Sequence, residues 1–266
     1  MAAMEISRAT VLLTGASGGL GHAIARHLAA RGAELVLTGR QTELLQPLAD
    51  ELSARVIAAD LSDRSAVAGL IDEVGDVDIL VANAALPASG ALLDYTQEQI
   101  DRALDVNLRA PIMLAHALAP AMVQRRSGHL VFISSLSGKT GQAGSSLYSA
   151  TKFGLRGFAQ GLRGDLAPAG VGVSTVFPGF IRDAGLFHNS GAELPRGVGT
   201  STPDQVAAAV VRGITKNRGE LTVAPVTMRL GATLGSVAPE TALRVARLSG
   251  GDRVSSEIAG GQEHLR

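Results

Sequence analysis

An α/β fold built on a doubly wound parallel sheet of about seven strands is what this 266-residue sequence predicts, on three observations. Strand-like apolar runs alternate with helix-like segments along most of the chain, joined by short connections. The core must be aliphatic, because hydrophobic residues make up 46% of the chain and aromatic residues only 3%. That composition suits strands buried on both faces by helices whose alanines allow close packing. Finally, a glycine-rich turn sits between the first strand and the first helix. No linker is visible, so residues 1–266 read as one domain.

The elements follow in order. "TVLLT" (10–14) is the first strand, and "LGHAIARHLAARG" a helix stopped by Gly32. "ELVLTG" is a second strand, followed by a helix through "ELLQPLADELS". "RVIAAD" is a third strand with a helix near 64–74 behind it, and "VDILVANA" is a fourth. A long helix is expected from an N-cap at Thr96 to Arg126. "GHLVFISS" is a fifth strand, "LYSATKFGLRGFAQGLRGDLA" a helix, and "VGVSTVFPG" a sixth strand. "PDQVAAAVVRGITKN" is a further helix and "ELTVAP" a seventh strand. Residues 183–202, rich in Gly, read as a long irregular connection of the kind that forms lids. Residues 225–266 carry weak signals, read as two short helices and a frayed polar tail of unknown role.

Bulk numbers exclude several classes. With 24 basic and 24 acidic residues the formal charge is zero, so nothing global points to nucleic acid or to a strongly anionic surface. The absence of cysteine removes disulfides and thiolate metal sites. The six histidines lack ligand spacing, so no metal is expected. No apolar run reaches the ~18 residues of a spanning helix, and "MAAMEISRAT" has no signal-peptide core. The expected compartment is the cytoplasm.

Two local patterns carry chemistry. "TGASGGLG" (Thr14 to Gly21) lies where its backbone N–H groups can meet a pyrophosphate at a helix N-terminus. "SLYSATKFGL" places one of only two tyrosines, Tyr148, four residues before one of only three lysines, Lys152, a pairing with a chance frequency of roughly 0.02. On a helix the two share a face.

These motifs resemble the short-chain dehydrogenase/reductase family, a single-domain Rossmann-type branch with Y-x-x-x-K. The family's T-G-x-x-x-G-x-G is matched by Thr14, Gly15, Gly19 and Gly21. Asp60 and Leu61 stand where the family contacts adenine, and "ANAA" (82–85) stands for its N-N-A-G. "VNLRAP" supplies Asn107, "ISS" supplies Ser135, and "FPGFI" supplies Pro178 and Gly179. The match is firm over about residues 10–183 and loose over 203–224. It implies catalytic residues Asn107, Ser135, Tyr148 and Lys152. It implies a dinucleotide held by Gly15, Ser17, Gly19, Leu20, Gly21, Arg40, Asp60, Leu61, Asn83, Ala84, Pro178, Gly179 and Ile181, together with Tyr148 and Lys152.

The chemistry is hydride transfer between a nicotinamide and a carbonyl or secondary-alcohol carbon. A neighbouring ammonium at Lys152 is expected to lower the Tyr148 pKa so that the phenol trades a proton with the substrate oxygen. Ser135 hydrogen-bonds that oxygen. By resemblance, Lys152 also holds the nicotinamide ribose, and Asn107 supports a water chain to the lysine. At the end of the second strand Gly39 replaces the acid of NAD-binding members and Arg40 follows, which favours NADP(H), with NAD(H) as the alternative.

Departures from the family pattern set further expectations. Ala85 replaces a glycine and would be strained if that backbone needs positive φ. Asp183 replaces a threonine near the nicotinamide amide, so that contact must be remade elsewhere. Leu186, Phe187 and Leu194 offer an apolar wall for a lipid-like, ketoacyl or steroid-like carbonyl. Residues 183–202 are expected to be a mobile substrate lid. A homodimer or homotetramer is expected through the helices at 96–126 and 148–167. The competing readings are a non-catalytic NAD(P)-sensing protein of the same fold and a sugar-nucleotide epimerase or dehydratase on a related one.

Overall fold

A computed structural model describes residues 4–192, 194, 198–248 and 251–263. Seven parallel strands form one sheet in the order β3-β2-β1-β4-β5-β6-β7. They are β1 (Thr10–Thr14), β2 (Glu34–Gly39), β3 (Arg55–Ala58), β4 (Ile79–Ala82), β5 (His129–Ile133), β6 (Gly172–Pro178) and β7 (Glu220–Val223). The chain winds outward from β1 to β3, returns to β4 beside β1, and winds the other way to β7. The reversal leaves a crevice at the carboxyl ends of β1 and β4, the usual ligand position in such sheets.

Helices cover both faces because the strands are apolar on both. Val11 and Leu13 of β1 point into one core and Leu12 into the other, the period-two alternation of a pleated strand. The first core is closed by α1 (Gly19–Ala29), α2 (Thr42–Leu52) and α8 (Pro203–Lys216). The second is closed by α3 (Arg64–Val74), α5 (Ala110–Gln124) and α6 (Ser146–Leu166). The strands pair over fewer residues than the apolar runs suggest. Asp60, Asn83, Ala84, Ser134 and Ser135 lie past the last paired residues of β3, β4 and β5. Their apolar neighbours continue the runs, but the backbone there leaves the ladder to form the crevice rim.

Three expectations need correcting. The helix expected at 96–126 starts at Thr96 with a capping box to Gln99, but it is not uniform: α4 (Gln97–Leu104) passes through a π-helical turn, Asp105–Arg109, into α5. The wider turn carries Asn107, and such turns commonly mark functional positions. This path, Gln97–Gln124, is long and apolar enough to cross a membrane by length and composition, yet half of its most apolar window is buried in the protein, as for a core helix. The connection at 183–202 contains α7 (Gly185–Ser190), and a bridge between Ile181 and Ser201 pins its base. Gly197 and three other residues of the expected lid, 193, 195 and 196, lie outside the described residues. The described residues of 225–266 form three helices: α9 (Val226–Val237), α10 (Pro239–Leu248) and α11 (Gly251–Gln262). Of the expected frayed tail, 264–266 lies outside the described residues.

Candidate active site

A cleft of about 930 Å³ opens over the crevice between β1 and β4. One end is built from the glycine turn. Gly15 has φ of +64°, and a Cβ there would lie 2.7 Å from the Ala84 Cα, so only glycine lets the turn pass this close to the end of β4. Asn83 ties the same two strand ends together. Its side-chain amide donates to the Thr14 and Gly15 carbonyls at 3.1 and 3.0 Å, while the Thr14 hydroxyl accepts from the Asn83 and Ala84 amides at 3.0 Å.

The first helix then starts without a side-chain cap. Gly18 is its N-cap residue and no acid lies in its first turn, whereas α3, α4 and α8 are capped by Asp63, Thr96 and Thr202. The open amides and the positive end of the α1 dipole thus face the cleft beside Ser17, Gly19 and Leu20, a cradle that suits a pyrophosphate. Gly19, Leu20 and Gly21 line that stretch. Farther out, Arg40 is exposed at the rim, and Asp60 and Leu61 face it. Burial opposes ionisation of Asp60. Hydrogen bonds from the Ser62 hydroxyl and amide to Oδ1, at 2.7 and 2.9 Å, and the charges of Arg40 and Arg102 nonetheless hold its carboxyl below the ordinary range.

The other end holds the titratable groups. Ser135 follows β5 closely, and Tyr148 and Lys152 project from one face of α6. The Ser135 hydroxyl accepts from the Ser137 amide at 3.1 Å and bonds the Tyr148 hydroxyl. Lys152 is 2% exposed; its Nζ donates to the Ile133 carbonyl at 3.1 Å and lies 5.5 Å from the Tyr148 ring centroid. Burial pushes the Tyr148 phenol up to about 12, with the Ser135 bond opposing, and pushes Lys152 down to about 8. The expected lowering of the tyrosine by its lysine is therefore not what this arrangement gives. The ammonium donates to the Ile133 carbonyl, and burial of the phenol is the larger influence on Tyr148, opposed by the Ser135 bond. That shift favours the neutral phenol over the phenolate.

All but one of the expected site residues line this cleft, including Pro178, Gly179 and Ile181 at and beyond the end of β6. Asn107 is the exception. It is fully buried, its Oδ1 accepting from the Leu86 amide at 2.7 Å and its Nδ2 donating to the Leu86 carbonyl at 2.9 Å. Both ends of its side chain are spent on positioning the segment after β4. Ala85 in that segment is not among the residues with positive φ, so the missing glycine brings no strain. Asp183 does have positive φ, +69°, and its side chain is 70% exposed beside Arg182 at 3.5 Å. It points to solvent rather than standing in for a buried amide partner.

The C-terminal wall of the cleft has no counterpart in the sequence expectations. Leu243, Ser255, Ile258 and Gln262 line the cleft mouth, and α11 packs on α7, with the Gln262 amide donating to the Leu186 carbonyl at 2.8 Å. No motif marks these residues. Their role follows from where α11 lands.

The family model for short chain dehydrogenases matches residues 9–194. The chain belongs to the short-chain dehydrogenase family. It is an oxidoreductase of the kind that works with NAD(P). The ketoacyl reductase HetN of Nostoc sp. is 35% identical over 255 residues, 91% of this chain and 89% of that protein. A metagenomic short-chain oxidoreductase solved in complex with NADP is 33% identical with a TM-score of 0.70, over 84% of this chain and 100% of that one. A short-chain dehydrogenase from Sphingobium yanoikuyae solved in complex with NADPH is 33% identical with a TM-score of 0.72, over 88% and 95%. The family match stops before α8, so α9, α10 and α11, which build the C-terminal wall, lie beyond the region it covers.

Proposed function

We propose that this chain is an NADPH-dependent carbonyl reductase that takes a bulky, largely apolar ketone to a secondary alcohol. The observation that carries the reading is the neutral Tyr148 phenol bonded to Ser135 and backed by a buried Lys152, all opening on one cleft. The bound dinucleotide would supply hydride to the carbonyl carbon. Ser135 and Tyr148 hold the carbonyl oxygen, and as negative charge builds there Tyr148 gives up its proton. Lys152, with a pKa of about 8, is positioned to return a proton toward Tyr148 and to bond ribose hydroxyls. A non-catalytic sensor would have no use for this buried relay.

Preference for the phosphorylated dinucleotide is supported by Arg40 at the rim, by Arg102 on the same charge field, and by the NADP and NADPH found in the two related structures. The apolar substrate wall is supported by Leu186, Phe187, Leu194 and Ile258 along the mouth, with Phe187 packed on Phe180 at a centroid distance of 4.7 Å. The HetN relative adds weight to a 3-oxoacyl substrate. We also propose that α7 moves as a lid and that two copies pair through α5 and α6, where Val123 and Phe153 remain exposed. The test is NADPH oxidation across a panel of 3-oxoacyl thioesters and polycyclic ketones. Saturable turnover on bulky members over small ones supports the reading; no turnover on any of them, with NADPH bound, overturns it.

A further inference from the structure

Helix α9 is apolar on the side that faces water. It packs inward through Ala232 and Gly235, and the Ser236 hydroxyl donates toward the Lys139 carbonyl at 2.8 Å. At 100° per residue, Val226, Leu230, Leu234 and Val237 fall in one sector of about 80°, opposite that packed face. They are 67%, 66%, 43% and 80% exposed. Four of the ten exposed large hydrophobic side chains among the described residues therefore sit on one stripe of one helix, which is a patch rather than scatter.

The flank of the same helix is cationic. A cavity of about 290 Å³ is lined there by Arg229, Thr233 and Ser236 of α9 and by Lys139, Arg156 and Thr222. Lys139 and Arg156, both largely buried, share one carboxylate, Glu220, at 2.9 and 2.8 Å, and Arg229, exposed on α9, is the third cation of this flank, so a local excess of positive charge remains. The balanced charge of the whole chain conceals this bias.

We propose that this face docks on an anionic lipid bilayer, the stripe entering the acyl boundary while the exposed Arg229 meets headgroup phosphates in the positive field of Lys139 and Arg156. A second copy is the poorer occupant. Antiparallel two-fold pairing through the stripe would bring the cationic flanks of both copies toward each other. The surface goes beyond the reductase reading and does not depend on it, since none of its side chains lines the catalytic cleft.

The test is flotation of the full-length protein with vesicles of phosphatidylcholine, alone or with about one-third phosphatidylglycerol. Binding is expected to the anionic vesicles, at least about tenfold stronger than to the neutral ones, and to weaken with salt. The Leu230→Gln/Leu234→Gln variant, altered only at exposed positions, should lose roughly tenfold or more, and Arg229→Gln several-fold. A near-ultraviolet circular dichroism spectrum and NADPH affinity equal to wild type would show that the variants remain folded. No flotation with anionic vesicles overturns the proposal. So does flotation that survives the double variant, retention only by an immobilised acidic amphipathic peptide, or a drop in oligomer mass in the double variant without any vesicle binding.

Discussion

Replacing Asn107 by alanine separates two roles that the sequence alone confounds. The side chain makes two hydrogen bonds, of 2.7 and 2.9 Å, to the amide and carbonyl of Leu86, and is fully buried. Alanine leaves both backbone groups without a partner in a partly buried segment, at about 1–3 kcal/mol each, for a total of about 2–6 kcal/mol. The assay is urea unfolding at neutral pH, read as a lower midpoint at unchanged slope, with kcat and KM measured on the same preparations. Because Leu86 and Pro87 line the cleft, KM for the ketone should rise as the segment loosens. A residue acting only through a water chain to Lys152 would behave otherwise, with kcat falling at unchanged stability. A variant within about 0.5 kcal/mol of wild type would refute the positioning role.

Arg40→Asp should move the ratio of specificity constants from NADPH toward NADH by on the order of 10- to 100-fold, the worth of one charge-assisted contact, and an unchanged ratio would remove Arg40 from the phosphate site. His129, 1% exposed, bonds the Ser174 hydroxyl at 2.8 Å, and burial first, then the Arg163 charge, lowers its pKa to about 3. Because the folded pKa lies below the ordinary value of 6.5, its contribution is complete above that pH and is lost as pH falls toward 3. Between about pH 6.5 and 4.5 that is roughly 2 kcal/mol, which His129→Gln should spare in unfolding measured at both pH values; parallel losses in the two proteins would contradict it. Phe187→Ala should raise the ketone KM several-fold with NADPH affinity unchanged, and residues 183–192 should gain hydrogen-exchange protection only when both ligands are present. Silence in both measurements would end the lid proposal.

The sheet was legible because β1, β4, β5 and β6 are buried on both faces, so their largely aliphatic runs are seldom interrupted by a polar residue. Thr96 announced its helix as an N-cap residue; the structure adds that it is followed three residues later by a glutamine that closes a capping box, as is Thr202 at the start of α8. The cleft residues were legible for the same local reason: a turn of glycines and an i, i+4 pair have few other uses. What escaped was long-range. The π turn at Asn107 depends on Leu86, twenty-one residues earlier, and the Tyr148 phenol is held neutral by burial that no neighbour in sequence reveals. The C-terminal wall rests on α11 landing against α7, a contact made by Gln262 with a backbone carbonyl that any residue could have offered.

The assignment of Tyr148 as proton donor to a bound carbonyl is tested most directly by Tyr148→Phe. The change removes only the hydroxyl and keeps the ring. Single-turnover reduction of the best ketone should slow by about 10²- to 10⁴-fold, while the NADPH dissociation constant, read by cofactor fluorescence, stays within about twofold of wild type. Near-normal turnover in the variant would contradict the assignment, as would a loss of NADPH binding large enough to account for the slower reaction.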